Sequence, residues 1–245
     1  MEKNDALFVL VKSLTKSEKR QFKLYAGRLG GNLEKNFMAL FNVLDKLDEF
    51  DESQILKKTK IKKQQLSNSK AHLYRQILVS LKLNPIHQNV KMQIREQIDF
   101  ATVLYNKGLH RQSLKILDKA KGVAVFNEES NLAYEIVELE KVVESQYITR
   151  SMTSRADDLI AESKDLSEKT LLLSKLSNLS LQLYSILLKK GYVSNDEDYE
   201  EVKSFFESSL PEYNIRKLGL KEKLYLYKAM LWYNFITQDF VNCYK

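Results

Sequence analysis

The chain has one cysteine, two prolines and seven glycines in 245 residues, and each shortage excludes something. A single thiol, Cys243, cannot form an internal disulfide or supply a thiolate-rich metal site, and it fits a reducing compartment. Scarce Gly and Pro remove the punctuation that strands and tight turns use, while Leu, Lys, Glu, Ser and Gln are abundant, so the composition favours helix throughout. Gly30-Gly31 is followed by Asn32-Leu33-Glu34-Lys35, not by the lysine-serine pair of a phosphate-binding loop. The longest apolar run near the N-terminus, Ala6 to Val11, is too short for a signal-peptide core or a bilayer span, which points to a cytoplasmic protein without membrane contact. His72, His87 and His110 have no partner at helical ligand spacing, so neither a metal nor a cofactor is expected. Cys243 has no nearby histidine, and Glu138, Glu140 and Glu144 read as solvated helix positions with lysine neighbours, so no catalytic set stands out and an enzyme is the least supported class.

What is present is helical periodicity and an uneven charge. The net charge is +7, yet residues 1–100 hold 19 Lys/Arg against 11 Asp/Glu and the remainder is balanced. From Ser53 to Arg95 there is no acidic residue, while Lys57, Lys58, Lys60, Lys62, Lys63, Lys70, Arg75, Lys82, Lys91 and Arg95 create a local positive field. Expected helices are Asn4 to Ser13, a capping-box start at Thr15-Lys16-Ser17-Glu18 running to about Arg28, Leu33 to Phe50, Asp51 to Lys58, and about Lys62 to Leu83. Breaks are expected at Gly30-Gly31 and at Asn84-Pro85, and the latter divides a basic N-terminal module, residues 1–84, from residues 85–245.

Beyond Pro85 the spacing predicts helix pairs: Ile86 to Lys107 with Leu109 to about Val125, Glu128 to Arg150 with Ser154 to about Leu166, and Ser167 to Lys190 with Asp196 to Leu210. A fourth pair begins near Lys221. Turns near Gly108, Arg150, Gly191 and Gln238 lie 42, 41 and 47 residues apart, the signature of stacked hairpins. In the most regular pair, Gly108 supplies the positive φ of the turn and the small Ser113 admits a close helix approach. The acids of Asp196 to Glu201 read as helix-start dipole partners, not as a cation site. The rings of Tyr225, Tyr227, Trp232 and Tyr233 cover more than one helical face, and an interhelix core is their expected use. Because only five residues follow Phe240, the expectation is an N-terminal piece of a longer protein.

At Ala101, Leu104, Gly108, Ser113, Leu117 and Ala120 the chain resembles the tetratricopeptide repeat, and the hairpin at Leu231 to Lys245 is similar, although the intervals exceed that family's ~34 residues. The resemblance implies an elongated stack of antiparallel hairpins, an α-solenoid, whose inner faces bind peptides or proteins. Separately, Ile55 to Leu66 resembles a helix-turn-helix core, with Ile55, Ile61 and Leu66 at its buried positions and Lys60 where glycine usually sits. On the second helix of that motif, Gln64, Asn68, Ala71, Arg75 and Lys82 share one face. The sequence thus predicts an all-α, non-enzymatic scaffold for a protein or peptide partner. In that scaffold the basic module, through Lys57, Lys58, Lys60, Lys62, Lys63, Gln64, Asn68, Arg75 and Lys82, contacts an acidic partner; the alternative is a nucleic-acid-binding regulator in which the same segment engages phosphates.

Overall fold

The computed structural model describes residues 5–29, 32–84, 89–146 and 153–244. Among them are eleven α-helices, a short 3₁₀ turn at Asn242–Tyr244 and no strand. The fold is all α, and the chain divides into two compact units, Met1–Asn89 and Val90–Lys245. The expected breaks at Gly30-Gly31 and Pro85 and the turn at Arg150 lie outside the described residues.

The first unit holds α1 (Ala6–Ser13), α2 (Lys16–Leu29), α3 (Asn32–Lys46), α4 (Glu52–Lys58) and α5 (Lys63–Lys82). Its helix starts follow from local hydrogen bonding. The Asp5 carboxylate accepts the Phe8 N–H at 3.1 Å. Thr15 and Glu18 close the capping box reciprocally, the Thr15 N–H donating to Glu18 Oε2 at 2.6 Å and the Glu18 N–H to Thr15 Oγ1 at 3.3 Å. Asp51 accepts from the N–H groups of Gln54 and Ser53, and the Gln54 N–H foremost holds its carboxyl below the ordinary aspartate value. Asp51 is extended, as a helix N-cap is, and α3 stops at Lys46, short of the expected Phe50, with residues 47–50 forming the connection. Phe50 serves instead as a loop residue set edge-on to Phe8 at 6.2 Å. The apolar stripe of α3, Phe37, Leu40, Phe41 and Leu44, with Leu47 just past its end, joins Phe22, Ile55, Leu66, Leu73 and Ile77 in one buried cluster. Lys70 lies between Leu66 and Leu73 on the apolar side of α5, and it pairs with Asp5 while its ammonium sits 4.8 Å from the Phe50 ring centre.

In the second unit α6 (Val90–Asn106), α7 (His110–Phe126), α8 (Ser130–Gln146) and α9 (Thr153–Lys190) pack each on the next. α11 (Leu220–Ile236) then packs on α9, with α10 (Asp196–Ser209) beside α11. Three of the turns close alike: Gly108, Glu128 and Gln238 take φ of +74°, +53° and +60°. In each, the next residue's N–H reaches five residues back, Leu109 to the Leu104 carbonyl, Glu129 to Ala124 and Asp239 to Asn234, at 2.9, 2.8 and 2.8 Å. Ser113, fully buried, goes beyond smallness, because its hydroxyl donates to the Ala101 carbonyl at 2.8 Å and ties α7 to α6.

One expected break is absent. α9 runs unbroken for 38 residues through Leu166 and Ser167, where two helices were expected. Ser167, the expected start of the second helix, instead donates its hydroxyl to the Lys164 carbonyl within the helix, and no Gly or Pro stands nearby to interrupt the ladder. The N-terminal part of α9 therefore packs on α8 through Leu159 and Leu166, and its C-terminal part on α11 through Leu176, Leu179 and Leu183.

Candidate functional site

Two surfaces stand apart from the core. The first is a groove of about 480 Å³ between α9 and α11, lined by Ser177, Asn178, Ser180, Leu181 and Tyr184 from one helix and by Tyr225, Lys228 and Trp232 from the other. The ring centres of Tyr184 and Trp232 lie 5.0 Å apart. Rings expected in an interhelix core thus divide their work. Tyr233 stacks on Phe206 at 4.3 Å inside the unit, whereas Trp232 and Tyr225 pack partly against the core and partly wall the groove. Burial, and next the Tyr199 hydroxyl, push the Tyr233 phenol up to about 12. Leu181 on the rim of the groove is 67% exposed, and Leu188, about two turns further along α9, is exposed as well.

The sequence held a signal for this groove that periodicity does not register. No acidic residue occurs from Thr170 to Lys190, and α11 contains one, Glu222, which is buried. The stretch Arg155–Lys190 is long and apolar enough to cross a membrane by length and composition alone. In this fold Leu176, Leu179 and Leu183 of that stretch are core residues.

The second surface is the basic face of α4 and α5. Lys57, Lys58, Lys60, Lys62, Lys63, Gln64, Asn68, Arg75 and Lys82 are all exposed, with Ala71 between them. Lys58 donates to Gln54 Oε1 at 3.0 Å, and Lys57 lies close enough to Asp51 to lower its pKa. Lys60, Lys62, Lys63, Arg75 and Lys82 make no ion pair among the described residues. Ile55, Ile61 and Leu66 are buried, as the helix-turn-helix resemblance requires. The turn departs from that motif, because Lys60 does not adopt a positive φ; Thr59 and Lys62 on either side are extended, which spares a lysine the left-handed conformation.

The three glutamates expected to be solvated separate in the structure, and Glu140 is fully buried. It is flanked by Lys121 Nζ at 2.8 Å and by Arg155 at 3.3 Å, so α8 is clamped between α7 and α9. Lys121 also meets Glu162 at 2.7 Å. Burial raises the Glu140 carboxyl against the pull of its two cations. Burial draws Lys121 down, but the hydrogen bonds and charges of Glu140 and Glu162 overcome it and leave its pKa raised. Glu138 bonds Lys141 at 2.6 Å and Ser163 at 2.8 Å, which hold its carboxyl below the ordinary value. These acids are committed to cations, and the arrangement is a structural clamp. Of the histidines, His72 stacks on Phe37 at 4.4 Å and His110 lies against Tyr105, while His87 is outside the described residues.

The class this geometry defines is an all-α protein whose successive helices pack on their neighbours, an arrangement compatible with a helical repeat. No family model, curated protein or solved structure matches the chain.

Proposed function

We propose that the protein is a non-enzymatic scaffold of the tetratricopeptide-like kind, acting in the cytoplasm, and that the groove between α9 and α11 is where it receives a protein or peptide partner. The observation that carries this reading is the joining of a recessed cavity of about 480 Å³, walled by Tyr184, Tyr225 and Trp232, to the exposed Leu181 on its rim. Anchor pockets flanked by apolar surface are what peptide recognition uses. The test is to pan a random peptide display library against the immobilised chain. Enriched sequences should bind with micromolar affinity and lose about tenfold when Leu181→Glu places a charge on the rim. Failure of any sequence to enrich over an unrelated immobilised protein refutes the reading.

A second reading rests on a different observation, the five cations of the α4–α5 face, Lys60, Lys62, Lys63, Arg75 and Lys82, that make no ion pair among the described residues. From Gln64 to Lys82 the face extends about 27 Å along α5; Gln64 and Asn68 are its exposed polar residues, Arg75 and Lys82 its cations, and the exposed Leu78 lies between those two, while Lys62 and Lys63 stand at the start of the helix. Cations without acidic partners, interleaved with amide side chains, suit the phosphates and base edges of a nucleic acid. If about five phosphates are neutralised, a fourfold rise in salt weakens duplex binding by roughly 500-fold, and replacing Lys62 and Lys63 with alanine lowers the log-log salt slope by about 2. A slope near zero, or one that the double substitution leaves unchanged, removes this reading.

A further inference from the structure

We infer that the α9–α11 groove selects an acidic side chain: its occupant is a peptide segment that places a glutamate or aspartate carboxylate on Lys228 beside an apolar residue on Leu181 and Tyr184. This inference rests on the groove being the docking site.

The argument begins with charge. The groove has no acidic lining residue, and Lys228 on its rim makes no ion pair among the described residues. The helices that form it are one-sided in charge. Apart from the buried Glu222, the ionisable groups of α9 from Thr170 onward and of α11 are the lysines Lys175, Lys189, Lys190, Lys221, Lys223 and Lys228, and the tyrosines. Lys190 is answered by Glu201 at 2.6 Å and Lys221 by Glu129 at 2.8 Å, which leaves Lys228 as the uncompensated cation on the groove itself. An occupant with a carboxylate completes this field, and one with an added cation meets repulsion.

Hydrogen bonding points the same way. Lys228 is a donor without acceptor capacity, and so is the Trp232 indole N–H, which is buried with no partner. The Ser177 hydroxyl already donates to the Ser174 carbonyl at 2.9 Å, which leaves Lys228 as the charged donor of the groove. Shape decides between two anionic occupants. The site is recessed between two helices, where a peptide side chain reaches and a flat lipid surface does not.

The experiment uses the full chain and its only tryptophan, Trp232, as the reporter. The probes are the blocked peptide Ser-Gly-Leu-Glu-Leu-Gly-Ser and its glutamine counterpart. The glutamate peptide should shift Trp232 emission saturably and bind about tenfold tighter than the glutamine peptide, the low end for a charge-assisted hydrogen bond. Lys228→Met should bring the glutamate peptide down to the glutamine level and Lys228→Arg should preserve the preference, with circular dichroism checking that both variants fold. Equal affinity for the two peptides, or a preference that survives Lys228→Met, overturns the acidic specificity while leaving peptide docking standing. No emission change with either peptide, when display-selected peptides do bind, places docking elsewhere and overturns the inference. So does a Lys228-dependent response to anionic vesicles alone.

Discussion

Replacing Glu140 with leucine tests whether the α7–α8–α9 joint depends on its buried charge. The carboxylate is fully buried between Lys121 and Arg155, and removing one partner of a buried ion pair typically costs about 3–5 kcal/mol because the other is left uncompensated. Here neither cation is wholly abandoned. Lys121 keeps Glu162 at 2.7 Å, and Arg155, a third exposed, keeps the more distant Glu144 at 3.8 Å. Leucine also fills most of the space. The expected loss is therefore smaller, about 2–3 kcal/mol, or about 4–12 °C in the melting temperature of a unit this size. Urea unfolding followed by Trp232 emission reads the second unit, since that unit contains both the network and the only tryptophan. Lys121→Met and Arg155→Met added to Glu140→Leu should recover stability to within about 1 kcal/mol of the parent, since an apolar trio replaces a trio of charges. Stability unchanged in Glu140→Leu, or a triple variant that loses as much as the three single changes added together, refutes the clamp.

Two glycines give a paired test of opposite sign. Gly108 has φ +74° and Gly122 lies within α7, and neither would bring a Cβ within 4 Å of another group. Gly108→Ala should therefore cost about 1 kcal/mol from backbone strain alone, and Gly122→Ala should stabilise by roughly 0.5–1 kcal/mol, both read by thermal unfolding. Equal effects at the two sites contradict the turn geometry. Tyr233 supplies a pH dependence. Its phenol holds its proton to about 12 when folded and to about 10 in an unfolded chain, so unfolding releases a proton between those values. Stability should fall as pH rises through that window, and Tyr233→Phe should flatten the fall in denaturation curves taken across it.

Much of the architecture was written locally. The capping box at Thr15–Glu18, the cap at Asp51, the α3 stripe from Phe37 to Leu47 and the turn at Gly108 each depend on residues within a few positions of one another, so their physics is present in the chain order itself. The exposure of the basic face followed for the same reason, because a run of cations without acids has no local partner to draw it inward.

The rest required helices that are distant in sequence to meet. Glu140 reads as a surface acid beside Lys141, and only the approach of Lys121 from 19 residues earlier and Arg155 from 15 later makes its burial tolerable. The continuity of α9 was equally hidden, since a serine serves as a helix start or a helix interior depending on whether neighbouring helices support both flanks. The groove is the extreme case. Leu181 and Tyr184 belong to one helix and Lys228 and Trp232 to another more than forty residues on, so their juxtaposition exists only once α11 lies along α9. Order along the chain determined the helices and the sign of their charge. Packing between them decided which charges are buried, which are free, and where a cavity opens.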